Sequence, residues 1–575
     1  MSRLNNSLDV MQVDFDPWLS RLLQNLHGSN QRRLLSCEGD EEWCYRLYEK
    51  QFQNRYQSLL LSNSTVFSEA VPFGKVETLL GSEREIVVLD LFSGLNADVV
   101  CIAAGLVKRG GLLVFLSPGV TRWHEIKDQY GVWQDQCVAN NFEFVRYFFA
   151  SIENDVDACV QLRQGGGLRQ PAQLADLTQT EFINGKTSEQ REVLDQIDRW
   201  LTKGNMPVAL LTADRGRGKS ACLGFAIQNA IDKLGYSVLV TAYSRQSASI
   251  VFNHCDSSCF IAPDRLIESQ ICADVLVIDE AAMLPFSMLA QLCRRFKRVL
   301  MATTTGGYEG TGQGFLLRFV AHIPADQLLR LKLHEPVRWA ENDCLENWVN
   351  NTFLLKAPHS GRTIAEESNA FEIEMVDRRD SSQIKKTYTL MTTAHYRTRP
   401  SDLRALMENP HLVLMAATHR DMITGMLAAN CEGGLEPDLC HQIFLGNRRP
   451  RGHLLAQMLT AQAGLRDFAC FKGLRIQRVA VEEVNRRRGV GKQLIKTAEA
   501  YAGEQRFDYI GACFALDSDS LGFWQNCGFS LVHIAYGQGK STGNQTVAVV
   551  SILNPELEIA MGRLKHKLMS GLPLM

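Results

Sequence analysis

Two stretches of the chain end an apolar run in charged residues, the first of them with glycines interleaved, as phosphate chemistry requires. In Val208-Ala-Leu-Leu-Thr-Ala-Asp-Arg-Gly-Arg-Gly-Lys-Ser220, a short apolar strand runs into a glycine-containing loop. A helix with Leu223, Phe225, Ala226 and Ile227 on its apolar face follows. Backbone N–H groups of such a loop wrap phosphates, and the helix N-terminus adds partial positive charge. The candidate nucleotide cradle is therefore Thr212, Ala213, Asp214, Arg215, Gly216, Arg217, Gly218, Lys219, Ser220 and Ala221, with Ala213 in place of the usual first glycine. Lys219 is expected to reach the β- and γ-phosphates of ATP or GTP, and Ser220 to ligate Mg²⁺. The second stretch, Ala273-Asp-Val-Leu-Val-Ile-Asp-Glu280, ends another strand in two carboxylates. Asp279 is expected in the Mg²⁺ shell, and Glu280 is expected to orient or deprotonate the attacking water. Thr303-Thr-Thr-Gly-Gly-Tyr-Glu-Gly-Thr-Gly312 follows a third apolar strand, as a phosphate-sensing loop does. Arg338 reads either as an arginine finger or as a plain salt-bridge partner, and Gln190 either as a reader of the adenine edge or as a solvated side chain.

A different chemistry is written further on. Leu474-Arg-Ile-Gln-Arg-Val-Ala-Val481 reads as a strand. The loop Arg486, Arg487, Arg488, Gly489, Val490, Gly491, Lys492 leads into a helix with Leu494, Ile495, Ala498, Tyr501 and Ala502 on one face. Such a loop aims N–H groups at a pyrophosphate, here that of coenzyme A. The open edge of the Val479, Ala480, Val481 strand is available to pantetheine amides and supplies N–H groups for an oxyanion. Glu482 and Asp519 are the candidate proton acceptors. The segment Leu521-Gly-Phe-Trp-Gln-Asn-Cys-Gly-Phe529 between two strands resembles the closing element of the GNAT acetyltransferase fold, which implies acetyl-CoA as donor. Arg448, Arg449 and Arg451 form a local basic patch, either for RNA phosphates or as an ordinary solvated loop.

The elements that position these residues alternate as strands and helices, so the fold class is α/β multidomain. At 575 residues the chain exceeds one core. It divides into an N-terminal α/β domain (1–177), a P-loop RecA-like parallel-sheet NTPase domain (178–360), a GNAT domain (361–553) and a short basic tail (554–575). In the first domain, strands are expected at Ile86 to Leu91 and Leu112 to Leu116, a helix at Asp98 to Val107, and a surface loop from Gln164 to Pro171. Leu89-Asp-Leu-Phe-Ser-Gly94 is reminiscent of a methyltransferase turn, but one glycine is thin support for close cofactor approach, and a structural domain is the favoured reading. The net charge of −2 excludes bulk attraction to nucleic acid, so any RNA site must be a local patch. No stretch suits a signal peptide or a bilayer span, and the sixteen cysteines sit mainly in apolar runs, so a cytoplasmic protein with reduced thiols is expected. His254, Cys255 and Cys259 form only half of a zinc site.

An NTPase module followed by a GNAT module resembles the bacterial tRNA(Met) cytidine acetyltransferases. The motifs that carry the likeness are Thr212 to Ser220, Ile278-Asp-Glu-Ala-Ala282, Gly307-Tyr-Glu-Gly-Thr-Gly312, Pro336-Val-Arg-Trp339, Arg448-Arg-Pro-Arg-Gly452, Arg475 to Val481 and Phe523 to Phe529. The resemblance implies N4-acetylcytidine formation at the wobble position of elongator methionine tRNA, with acetyl-CoA and hydrolysis of ATP or GTP. It further implies nucleotide contacts at Gln190, Thr212 to Ala221 and Arg338, and acetyl-CoA contacts at Val479 to Val481, Arg486 to Lys492, Asp519 and Asn526. The family pattern has glutamate where Asp519 stands, a basic residue where Asn526 stands, and histidine-proline where Glu482-Glu483 stands. A protein lysine acetyltransferase with a regulatory nucleotidase, and an RNA remodelling or assembly factor with a binding-only GNAT fold, are the rival readings.

Overall fold

Ile86 and Val88 point into one buried cluster while Val87 and Leu89 point into another. This alternation marks a strand covered by helices on both faces. The computed structural model describes residues 15–133, 142–169, 185–255, 259–305, 319–356, 371–394, 398–420, 422–538 and 545–571. Among these residues the strands form three sheets. The first contains β1 (Arg33–Glu38), β2 (Leu59–Leu61), β3 (Arg84–Asp90), β4 (Val107–Ser117), β5 (Cys159–Arg163) and β6 (Leu168–Arg169), in spatial order β2-β3-β4-β1-β5-β6. Only β5 and β6 pair antiparallel. Two local expectations shift. The helix ends at Leu106 and β4 begins at once, its extra residues bulging between Val107 and Leu112 opposite β3. The segment at Gln164 turns back as β6, and the Gln164 amide exchanges hydrogen bonds with Asp40 at 2.8 and 2.7 Å. Asp90, at the turn that is reminiscent of a methyltransferase, accepts from the hydroxyls of Tyr45, Ser62 and Ser93. A Cβ on Gly94 would lie 2.7 Å from Asp128, so protein fills that turn.

The second sheet contains β7 (Val208–Ala213), β8 (Val238–Thr241), β9 (Cys259–Phe260), β10 (Val275–Ile278), β11 (Val299–Thr304) and β12 (Leu328–Leu333). Its order is β12-β7-β11-β10-β8-β9 and every pairing is parallel. The carboxyl ends of β7, β11 and β10 are thus neighbours, and the three phosphate-chemistry motifs begin there. The third sheet contains β13 (Glu372–Met375), β14 (Leu412–His419), β15 (Met422–Gly433), β16 (Lys472–Val481), β17 (Tyr509–Ala515), β18 (Ser530–Gln538) and β19 (Gln545–Ile552). Its order is β13-β14-β15-β16-β17-β19-β18, with β16 and β17 the parallel pair.

One apolar core joins all three parts. The helix Ala97–Leu106 of the first part contributes Val100, Ala103 and Leu106 to it. Leu345, Trp348 and Phe353 enter from the helix Cys344–Phe353, which follows the second sheet in sequence. Ile384, Tyr388, Leu403 and Leu406 enter from two helices of the third part, and Ala480 from β16 itself. A buried ionic cluster lies on the same boundary. Arg404 donates to Asp128 at 2.7 Å and to Glu408 at 2.8 Å, and Glu408 accepts the N–H groups of Phe144 and Val145 at the start of the helix Glu143–Asn154. The basic tail is a helix, Glu558–Gly571, whose Met561 and Leu564 pack with Tyr509, Val532 and Val550. No helix among the described residues is long and apolar enough to cross a membrane.

Candidate nucleotide and acetyl-CoA sites

Gly216 and Gly218 adopt φ of +77° and +75°, a left-handed geometry that glycine reaches without Cβ strain. With those two turns the loop after β7 curls into the helix Lys219–Leu234. Lys219 is buried, donates to Thr304 Oγ1 at 2.9 Å and lies 3.4 Å from Glu280. Thr304, at the end of β11, donates its hydroxyl to the Glu280 carboxylate. Asp279 is fully buried; its Oδ1 accepts the Glu280 N–H at 3.0 Å and its Oδ2 has no hydrogen-bond partner among the described residues. Burial, and then the Glu280 charge, push the Asp279 carboxyl up to about 7, while the Ser220 hydroxyl and the Lys219 charge pull the other way. An orphaned buried carboxylate oxygen near a hydroxyl fits a divalent cation that would complete both. Ser220 and Asp279 would hold Mg²⁺, which would neutralise phosphate charge there.

The rest of the loop is gripped from behind. Gly216 O accepts the N–H groups of Val337 and Arg338, and a Cβ on Gly216 would lie 2.7 Å from the Trp339 ring. Arg217 is buried and pairs with Glu346 at 2.8 Å, while the other oxygen of Glu346 accepts Trp339 Nε1 at 2.7 Å. The Arg217 guanidinium is therefore engaged by Glu346, and only its backbone is left to serve the cradle. Arg32 stacks on Trp339 at 3.7 Å and pairs with Asp343 at 2.8 Å. Asp214 and Arg215 line a small cavity shared with Cys101, Trp339 and Lys356, and Asp214 also accepts the Thr305 hydroxyl. Thr212 donates to Leu331 O on β12, Ala213 closes β7, and Ala221 lies in the first turn of the helix. Gln190 is buried rather than solvated. Its Oε1 accepts the Thr187 N–H and its Nε2 donates to Gly218 O at 3.2 Å, so it steadies the loop. Arg338 pairs with Glu83 at 3.1 Å and donates to Gly81 O at 3.2 Å, both in the first part of the chain. Gly307 to Gly312 lie outside the described residues. The sequence reading missed Glu346, Trp339 and Arg32. A tryptophan directly after Arg338 and an acid seven residues beyond it were the available signal.

The second site is a fork. β16 pairs with β17 only from Gly473/Tyr509 to Ile476/Ala512, yet stays on β15 up to Val481/Gly425. The register against β15 shifts at Ala428/Ala429, leaving Gln477 as the extra residue where the two strands part. Val479, Ala480 and Val481 therefore have an edge unpaired on the β17 side, fit to bond amide groups. Past the strand, Gly489 at φ +88° caps the helix Val490–Glu504, whose first bond runs from Gln493 N to Gly489 O. The N–H groups of Val490, Gly491 and Lys492 have no partner within the helix, which suits a pyrophosphate. A Cβ on Gly491 would lie 3.3 Å from Phe523 and 3.7 Å from Val481, so the closing helix Ser518–Asn526 packs on this cradle.

Of the loop arginines, Arg486 donates to Val481 O, Arg487 is exposed at φ +65°, and Arg488 donates to Asn485. Glu482 accepts from Asn485 Nδ2 at 3.1 Å in the turn past β16. It lies six residues beyond Ile476, roughly 20 Å along a strand at 3.3 Å per residue. It sits at the mouth of the fork, not at its root. Asp519 and Asn526 are exposed near the two ends of the closing helix, and Asp517 is the residue that caps it. At the root, desolvation pushes the Cys513 thiol up to about 12. Arg448, Arg449 and Arg451 are exposed, and no carboxylate stands between Leu439 and Arg466. His254 packs on Phe225 at 4.5 Å and Cys255 donates to Val251 O, which are packing roles.

Comparison with known proteins agrees with this division of labour. Residues 11–161 match the family model "tRNA(Met) cytidine acetyltransferase TmcA, N-terminal", residues 210–356 match "RNA cytidine acetyltransferase NAT10/TcmA, helicase domain", and residues 386–505 match "GNAT acetyltransferase 2". The tRNA(Met) cytidine acetyltransferase TmcA of Photorhabdus asymbiotica is 34% identical over 557 residues, covering 94% of this chain and 79% of that one. The TmcA proteins of Pectobacterium atrosepticum and Vibrio cholerae are 33% and 28% identical, with 92% of this chain covered in each comparison and 77% and 75% of theirs. A P-loop cradle, a forked acetyltransferase sheet and matches at this level across nearly the whole chain lead to one assignment: the chain belongs to the tRNA(Met) cytidine acetyltransferase family.

Proposed function

We propose that this chain transfers the acetyl group of acetyl-CoA to N4 of the wobble cytidine of elongator tRNA(Met), and that it hydrolyses ATP or GTP with Mg²⁺ to position the RNA. The observation that carries the transfer is the fork: an unpaired strand edge from Val479 to Val481 leading to the N–H groups of Val490, Gly491 and Lys492, which have no partner within their helix. That geometry supports binding of a long amide-bearing donor with its pyrophosphate at the helix start. Acetyl-CoA supplies the thioester; the strand edge orients it and offers N–H groups where negative charge develops on oxygen. Cytosine N4 is a weak nucleophile because its lone pair is delocalised into the ring, so positioning carries much of the rate. A thiol held near pKa 12 at the root supports direct transfer over an acetyl-cysteine intermediate. Glu482, at the mouth, serves the turn rather than the proton transfer, and Asp519 is retained as an exposed candidate acceptor.

Asp279, Glu280, Lys219 and Thr304 together support nucleotide hydrolysis. Arg338 reaches the γ-phosphate only after leaving Glu83. Arg448, Arg449 and Arg451 contact RNA phosphates. Family membership favours RNA over a protein lysine as acceptor. The deciding experiment incubates the chain with acetyl-CoA, Mg²⁺-ATP and tRNA, then analyses the nucleosides by mass spectrometry. N4-acetylcytidine in tRNA(Met) is expected. Acetyl-lysine in a protein mixture without acetylcytidine would establish the lysine acetyltransferase instead, and no acetyl transfer at all would leave a remodelling factor.

A further inference from the structure

The helix Pro437–Phe444 ends in a patch that neither cofactor site uses. Its last residue, Phe444, is 37% exposed, the next, Leu445, is 53% exposed, and Leu454 is 49% exposed. Between them stand the exposed Arg448, Arg449 and Arg451, and no carboxylate occurs from Leu439 to Arg466. The backbone beneath this patch is tied down. Gly446 takes φ +77° and folds the chain back, so that Asn447 N and Arg448 N both donate to Gln442 O. Further on, Pro450 O accepts from Gln457 and Gly452 O accepts from Asn430. A fixed backbone therefore displays an aromatic ring, two leucines and three cations that form no ion pair among the described residues.

We propose that this surface is a docking platform for an unpaired stretch of RNA, with one unstacked base lying on Phe444 and the flanking phosphates on Arg448, Arg449 and Arg451. The inference rests on the reading that RNA is the acetyl acceptor and adds where and how that RNA is held. Charge selects the polyanion, and the exposed ring selects single strands, because only an unstacked base offers its face to an aromatic side chain. The location fits. Gly433, at the end of β15 that leads to this helix, stands opposite Lys472, the first residue of β16. The end of β15 from which the platform's helix departs thus lies at the root end of the fork, about 30 Å along β16 from Val481 when nine residues are taken at 3.3 Å each.

The test is fluorescence anisotropy with the full chain and two labelled RNAs of equal length, a hairpin with an open loop and a blunt duplex, over a range of salt. Phe444→Ala should weaken hairpin binding by about tenfold, the order seen when one stacking partner is removed. It should leave the duplex and the slope of affinity against salt unchanged, and Phe444→Tyr should restore the hairpin. Arg448→Gln with Arg451→Gln should flatten the hairpin slope by about 1.4, at about 0.7 per phosphate contact for a single strand. Unchanged acetyl-CoA affinity in each variant establishes that the fold is intact. Wild-type hairpin affinity in Phe444→Ala, equal losses on hairpin and duplex, or no binding of either RNA by the wild type overturns the platform. A poly-glutamate peptide that binds with the same Phe444 dependence overturns it in favour of an acidic protein partner. A wild type that binds the hairpin through Phe444 but acetylates no cytidine overturns the proposed reaction while supporting the platform.

Discussion

At Asp279 a carboxylate with no exposure has one oxygen on the Glu280 N–H and the other without a partner among the described residues. Its pKa of about 7 in the folded chain lies above the ordinary value near 4. Between about pH 4 and 7 the folded state therefore binds more protons than the unfolded state, and stability falls as pH rises through that window. Above about pH 7 both states are ionised and the penalty is constant. Asp279→Asn removes it, so the melting temperature of the nucleotide-free variant should exceed wild type by a margin that grows from pH 4 to 7 and then levels. Each kcal/mol is worth about 2–4 °C in a domain of this size. A margin independent of pH would place the group outside the buried pair. The same variant should lose nucleotide hydrolysis. Cys513 is the other residue whose titration decides chemistry: as a thiol at neutral pH it is a poor nucleophile. Cys513→Ala should retain acetyl transfer to within about threefold in steady-state kcat, whereas a covalent route would lose about a thousandfold or more, as when a nucleophile is deleted.

Among the elements, the helix Val490–Glu504 carries the most consequence because the N–H groups of its first turn have no partner within the helix. Its cap, Gly489, sits at φ +88° and ψ −5°, where a Cβ costs about 1–2 kcal/mol. Gly489→Ala should therefore weaken acetyl-CoA binding by about 5- to 30-fold in calorimetry as the turn relaxes away from the cradle, with nucleotide affinity unaltered. Equal acetyl-CoA affinity would show that this turn does not hold the pyrophosphate. Strand β16 owes its role to a mismatch of partners: it follows β15 over its whole length and β17 for only part of it. The fork needs no special residue, only a bulge at Gln477 and a neighbour that turns away.

For the whole molecule, the first part of the chain is the common floor of both sites. Its buried Arg32 grips Asp343 and stacks on the Trp339 that packs against the P-loop, and its Asp128 grips Arg404 beside the acetyltransferase sheet. Breaking one side of such a buried pair typically costs about 3–5 kcal/mol, so these contacts keep the parts in register. Glu83 of the same part holds Arg338. This arrangement would give the proposed coupling between hydrolysis and transfer a physical path. Lys219→Ala should abolish hydrolysis yet leave acetyl-CoA affinity unchanged, since β16 lies in another sheet. Acetylation of intact tRNA should collapse, by about tenfold or more if remodelling is worth even one stacked base. A short unstructured RNA with the same cytidine should suffer less. Transfer to intact tRNA at the wild-type rate would disconnect the two reactions.

The sequence by itself determined what depends on neighbours along the chain. The P-loop after β7, the paired carboxylates after β10 and the glycine turn before Val490 are local, because each needs only a strand end, a turn and a helix start. Tertiary structure decided what depends on residues far apart. Gln190 stands between adenine reader and solvated side chain until the Gly218 carbonyl is found against it, Arg338 between arginine finger and salt-bridge partner until Glu83 meets it, and the residues around Arg217 give no sign of the Glu346 that takes its guanidinium. The helix Cys344–Phe353 follows the second sheet in sequence but buries Trp348 and Phe353 in the core of the first part. Motif spacing reports the backbone path through a few residues. Which partner a buried charge finds, and which sheet an apolar face covers, depends on how three sheets meet, a matter of long-range packing that local sequence does not encode.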